Sequence, residues 1–137
     1  TFTDLAVEQY SNESWNKLNV RLIFTVNSQP DVPIVWHWGW CATTDEILQQ
    51  NLTQINVIFE ADGYVIPKDQ LASETYESTD TTYQGWKCQD YLTILRDWKP
   101  GTYILKQTIN FSSAINDGKV AFEAGSMFRE YTVNISP

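Results

Sequence analysis

Trp36, Trp38 and Trp40 alternate along one short stretch that runs directly into Cys41, one of two cysteines in the chain. Flat indole rings in a row can stack on the apolar faces of sugar rings or grip another protein, through buried area and through the N–H groups at their rims. In an extended strand successive side chains point to opposite faces, so the three indoles would share one face and Val35, His37, Gly39 and Cys41 the other. With the cysteine face in the core, Trp36, Trp38 and Trp40 form a binding platform; with the tryptophan face in the core, they are packing. The sequence leaves both arrangements open. Three tryptophans at alternate positions are more than a core usually absorbs, so at least one of them is expected to be exposed or to line a pocket. Trp15, Trp86, Trp98, Tyr64, Tyr83 and Tyr91 complete the aromatic set.

Other chemistry is sparse. His37, the single histidine, would need a neighbouring carboxylate to act as a general base. No nucleophile-elbow pattern accompanies it, and a ring packed on aromatics and hydrogen-bonded to backbone is the favoured reading. One histidine and two cysteines expected to be oxidised cannot make a zinc site, and no Asp-x-Asp-x-Asp-Gly loop announces calcium. Asp62, Asp69, Glu77 and Asp80 read as residues of solvated turns. The six glycines are scattered and form no phosphate cradle. No metal or cofactor is expected, and the chain is not expected to be an enzyme by itself. One exception stays open, a small secreted hydrolase using an acid pair among the seventeen acidic residues, none of which is singled out by spacing.

Charge and cysteine usage bound the compartment and the partners. A formal net charge of -8 opposes phosphate backbones and anionic membrane surfaces, so nucleic acid is excluded as an expected partner. No apolar stretch approaches the roughly 18 residues that span a bilayer. The chain begins at Thr1 without a methionine, which reads as a processed or trimmed form. A Cys41–Cys88 bridge would close a loop of about 48 residues and remove on the order of 4 kcal/mol of unfolded-state entropy. It is preferred over two free thiols, because polar, Thr-rich β chains with one cysteine pair are typical of oxidising compartments. Four sequons, at Asn12, Asn51, Asn110 and Asn134, point the same way as candidate glycosylation sites. The expected location is extracellular or at the cell surface.

The elements that must position these residues follow a period of two. Leu18, Val20, Leu22, Phe24 and Val26 alternate with polar residues and predict a strand with one buried face. Asn27 to Pro33 breaks it, and Ile34 to Cys41 is the tryptophan strand. Thr43-Thr44-Asp45-Glu46 has capping-box spacing and predicts a helix over 43–52. Ile55, Val57, Phe59 and Ala61 run into Asp62-Gly63, a type I′ hairpin signal that sets Ala61 opposite Tyr64 and Phe59 opposite Ile66. Pro67 to Ala72 reads as a helical turn and Ser73 to Thr82 as a polar loop. Further strands are expected around Tyr91 to Leu95, at Tyr103 to Phe111, at Val120, Phe122 and Ala124, and at Tyr131 to Ile135.

Roughly seven to nine short strands with close turns and one helix, in a single domain over 1–137, predict an all-β antiparallel sandwich. The stretch Trp98-Lys99-Pro100-Gly101-Thr102-Tyr103-Ile104-Leu105 resembles the Pro-Gly-x-Tyr-x-Leu lead-in to the penultimate strand of many immunoglobulin-like domains. The resemblance implies an immunoglobulin-like fold, with the tyrosine hydroxyl anchoring a corner between sheets, and implies nothing about activity. Here each cysteine has its own neighbouring tryptophan, a departure from the immunoglobulin pattern. The functional expectation is a non-catalytic interaction module that binds a protein or a glycan through an aromatic surface. The alternative is a structural spacer or assembly unit of a larger surface protein, with the tryptophans internal.

Overall fold

The computed structural model describes residues 17–137. Its elements are β1 (Arg21–Ser28), β2 (Ile34–Ala42), α1 (Asp45–Leu52), β3 (Ile55–Ala61), β4 (Tyr64–Val65), β5 (Ala72–Glu77), β6 (Lys87–Leu95), β7 (Gly101–Phe111), β8 (Ile115–Asn116), β9 (Ala121–Phe122) and β10 (Gly125–Ile135). One sheet has the order β1-β10-β7-β3-β4, a second β2-β6-β5, and β8 pairs with β9. The first and last strands, β1 and β10, run parallel, so the sheet is not antiparallel throughout.

The inner faces of the two larger sheets enclose one core. Leu22, Phe24 and Val26 on β1, Phe59 on β3, Leu105, Ile109 and Phe111 on β7, and Tyr131, Val133 and Ile135 on β10 all bury their side chains there. The opposing sheet contributes Ile34, Trp36 and Trp38. The tryptophan face of β2 is therefore the core face. Trp36 is only 1% exposed, and its indole meets Phe59 edge-on at 4.9 Å and Tyr131 edge-on at 6.4 Å, joining the sheets. Both geometries are the T-shaped arrangement that aromatic quadrupoles favour. Gln107, equally buried, crosses the core from β7 and donates from Nε2 to the His37 carbonyl.

Local signals account for most boundaries. Asp62 and Gly63 both take positive φ (46° and 82°), Ala61 pairs with Tyr64, and the Ile66 amide donates to the Phe59 carbonyl, as the turn dipeptide requires. The α1 helix is capped by Thr44, whose hydroxyl accepts from the Ile47 amide, and it begins at Asp45, not at Thr43. Its Leu48 is fully buried. β1 starts at Arg21 because Asn19 adopts φ 59° and turns the chain, donating its amide to the Ser126 carbonyl; Val20 is left exposed. Tyr103 donates its hydroxyl to the Lys99 carbonyl at 2.8 Å, fixing the turn that precedes β7.

Other segments depart from the sequence reading: β6 and β10 begin at Lys87 and Gly125, ahead of Tyr91 and Tyr131, and β8 is an addition to it. Ala72–Glu77 is a strand, not a loop; every residue in it is exposed, so no hydrophobic alternation marked it. Around Phe122 only two residues pair, because Val120 is exposed and Asp117 draws the chain into a turn by accepting from the Lys119 and Val120 amides.

The Cys41–Cys88 disulfide is present and joins directly opposed residues of β2 and β6 within one sheet. Because Trp36 fills the junction between sheets, Trp36→Ala should cost about 3–5 kcal/mol of unfolding free energy in urea titration. Ile94→Ala, at a position 44% exposed on β6, should cost under about 1 kcal/mol. Equal losses would remove Trp36 from that central place.

Candidate functional site

The alternation of β2 sorts its backbone as well as its side chains. Cys41 and Cys88 have Cα atoms 4.1 Å apart, the close spacing of a non-hydrogen-bonded pair in an antiparallel ladder. Hydrogen-bonded and non-hydrogen-bonded pairs alternate, so Ile34, Trp36, Trp38 and Trp40 exchange backbone bonds with β6. Val35, His37, Gly39 and Cys41 turn their N–H and C=O groups to the opposite side. Two contacts follow the same parity: Gln107 donates to the His37 carbonyl at 3.1 Å, and the Thr43 amide donates to the Asp117 carbonyl at 2.8 Å. Among the described residues β2 has only β6 as a ladder partner, so the edge from Val35 to Cys41 carries backbone groups without a strand beside them.

An aromatic groove of about 200 Å3 runs along the Cys41 end of that edge. Tyr83 and Trp86 form one wall, their rings edge-to-face at 5.1 Å and 73°. They come from the loop between β5 and β6, which is pinned by Gly85 N–H to Ser78 O and Ser78 N–H to Trp86 O. Trp40 and Phe122 form the other, at 5.0 Å and 69°. Gly39 and Cys41 lie between, and Asp117 closes the end. Trp40 is held by its indole N–H, which donates to Asn51 Oδ1 at 3.0 Å, while Asn51 Nδ2 donates to the Asn116 carbonyl.

The outer face of the same sheet gathers four titratable groups. Asp90 stands opposite Gly39 on one side and Glu74 on the other. A Cβ at Gly39 would collide with the Asp90 carboxylate, so glycine makes room for it. Burial pushes the Asp90 carboxyl above the ordinary carboxylate range; the nearby His37 charge works against this and Glu74 adds to it. The Tyr76 hydroxyl faces Asp90 Oδ1 at 3.5 Å, and burial followed by the Asp90 charge raises its phenol. His37 and Asp90 make no hydrogen bond or ion pair with each other, and the only hydroxyl on this face of β2, β6 and β5 is the Tyr76 phenol.

The structure corrects the aromatic platform. Trp36 and Trp38 are 1% and 4% exposed and cannot stack a ligand on an open face; their side of the strand is the one that joins the sheets. Trp40 is half-buried at the groove, and Trp38 borders a separate cavity beside β3. Trp98 packs edge-on against Tyr103, away from the groove, and Tyr64 is exposed on the β3–β4 hairpin. Asn51 is corrected as a glycosylation site: it is 4% exposed, and both atoms of its amide are engaged inside the protein. Asn110 and Asn134 are half-buried, with their side-chain amides on Ser126 Oγ and Asn27 Oδ1. Asn12 and Trp15 lie outside the described residues. Asp62 accepts from the Ile104 amide, Asp80 from the Thr82 amide, and Glu77 pairs with Lys87. Among the described residues no three His, Cys, Asp or Glu side chains converge to hold a metal ion. Sequence reasoning missed the pairing of Tyr83 with Trp86 and the Asp90 carboxylate; a glycine inside a strand, Gly39, was the available sign of a close approach.

No protein-family model and no curated protein matches this chain, so its own geometry carries the functional reading.

A carboxyl whose acidity is weakened by folding favours the folded state when protonated and opposes it when ionised. Stability therefore falls as pH rises from the unfolded value of 3.8 through the raised folded value. Asp90→Asn should raise the thermal midpoint at pH 7, and the gain should vanish below pH 3.8 in a pH series of melting curves. A lower midpoint at pH 7 would show instead that the charged carboxylate is stabilising.

Proposed function

We propose that this chain is a non-catalytic, immunoglobulin-like β-sandwich module of an exported protein, and that it binds a partner protein by accepting an extended segment along the open edge of β2. The pairing of first and last strands, the two-sheet core and the Tyr103 hydroxyl bond to Lys99 support the immunoglobulin-like reading. The single disulfide supports an oxidising compartment. The observation that carries the function is the edge from Val35 to Cys41, which among the described residues has no strand paired to it and lies beside an aromatic groove, with only the His37 carbonyl engaged, by Gln107. Unpaired N–H and C=O groups at the spacing of a strand supply affinity for another strand, and the groove supplies a pocket for one of its side chains. A glycan is the weaker partner, because rings at 73° and 69° to each other do not make the flat, coplanar platform that a sugar needs.

The burial of Trp36 and Trp38 favours a second reading, a spacer or assembly unit with internal tryptophans. A photoreactive benzophenone side chain placed at Tyr83 in cells, with Tyr64 as control, separates the two. The module reading expects one protein crosslinked from Tyr83 and not from Tyr64. A peptide from the crosslinked segment should then bind, and N-methylation at alternate residues should weaken it at least tenfold, because each methyl removes a ladder donor. No Tyr83-specific crosslink leaves the spacer reading, and binding indifferent to N-methylation rules out strand addition.

A further inference from the structure

We propose that the cavity between β3 and the β2–β6 pair is a binding site for a small aromatic carboxylate. It holds about 130 Å3 and is separate from the groove at the β2 edge. Ile55, Val57 and Phe59 on the inner face of β3 form one wall. Trp38 and Tyr91, cross-strand partners on β2 and β6, form the other; their rings are stacked within 10° of parallel, with centroids 6.3 Å apart, so this wall is aromatic. An apolar cavity of about 150 Å3 accommodates benzene; at about 130 Å3, this one takes no more than a single six-membered ring.

Two polar groups make the site selective. Lys68, from the turn between β4 and β5, is the only charged residue lining the cavity, and it has no carboxylate partner within ion-pairing distance among the described residues. The Tyr91 hydroxyl accepts from Gln89 Nε2 at 2.9 Å, which leaves its own proton to donate. A ring between the aromatic wall and β3, carrying a carboxylate toward Lys68 and the Tyr91 hydroxyl, satisfies both. A neutral hydrocarbon would fill the cavity and leave the cation unused. In a chain of net charge -8, the attraction for an anion is local to this lysine.

Benzoate and toluene are the probes, titrated into the intact, disulfide-bonded chain and followed by the indole and methyl NMR signals of Trp38, Val57 and Leu71, which also lines the cavity. Benzoate should saturate a single site with those signals shifting, and should bind at least tenfold tighter than toluene. Lys68→Gln, an exposed position that leaves the walls intact, should erase that preference. Val57→Trp, which fills the cavity, should abolish both. Toluene binding as tight as benzoate, or a preference that survives Lys68→Gln, overturns the carboxylate assignment; absence of shifts with both probes overturns the site. Neither result bears on strand addition at β2, which uses a different surface.

Discussion

The burial of the tryptophan face of β2 governs both surfaces described above. Trp36 sits where the two sheets meet, edge-on to Phe59 from one side and to Tyr131 from the other. Turning that face inward sends His37, Gly39 and Cys41 outward, and the same period of two decides which backbone groups pair with β6 and which have no ladder partner among the described residues. One packing choice therefore sets the position of the disulfide, the face on which Asp90 gathers its neighbours, and the parity of the open edge.

The disulfide and the buried polar groups secure that choice at the carboxyl-terminal end and the middle of the strand. Cys41–Cys88 holds β2 to β6 in register at its carboxyl-terminal end, where a one-residue slip would turn Trp36 and Trp38 out to solvent. Asn51 ties the Trp40 indole to α1 and β8, and Gln107 reaches the His37 carbonyl from the other sheet. These bonds satisfy polar groups that a purely apolar interior would leave stranded, and they fix Trp40 as a wall of the groove. The groove thus rests on rigid elements at β2 and on the short, doubly bonded loop that carries Tyr83 and Trp86.

How much of this was legible depends on the range of each interaction. The Asp62-Gly63 hairpin and its register were readable because both central positions need positive φ, a local demand. That the three tryptophans share a face was equally plain from their spacing, but periodicity says which residues travel together and not which way they point. Val35 and Cys41 made the opposite face look apolar enough to bury. β5 was invisible because all six of its residues are exposed and none alternates. Asn51 misled because a three-residue sequon contains no information on burial. The parallel pairing of β1 with β10, and the meeting of Gly39 and Trp40 with Trp86 and Phe122 around one groove, join residues far apart in the chain. No local pattern encodes such pairings.

The most direct test of this account is residue-by-residue amide hydrogen exchange along β2 in the isolated, oxidised protein. The ladder to β6 should protect the amides of Trp36, Trp38 and Trp40, while those of Val35, Gly39 and Cys41 exchange at least a hundredfold faster. That alternation would place the tryptophan face inward and leave the edge free for another strand. Uniform protection from Val35 to Cys41 would mean the edge is already paired, and protection of the odd-numbered amides alone would mean the strand is registered the other way.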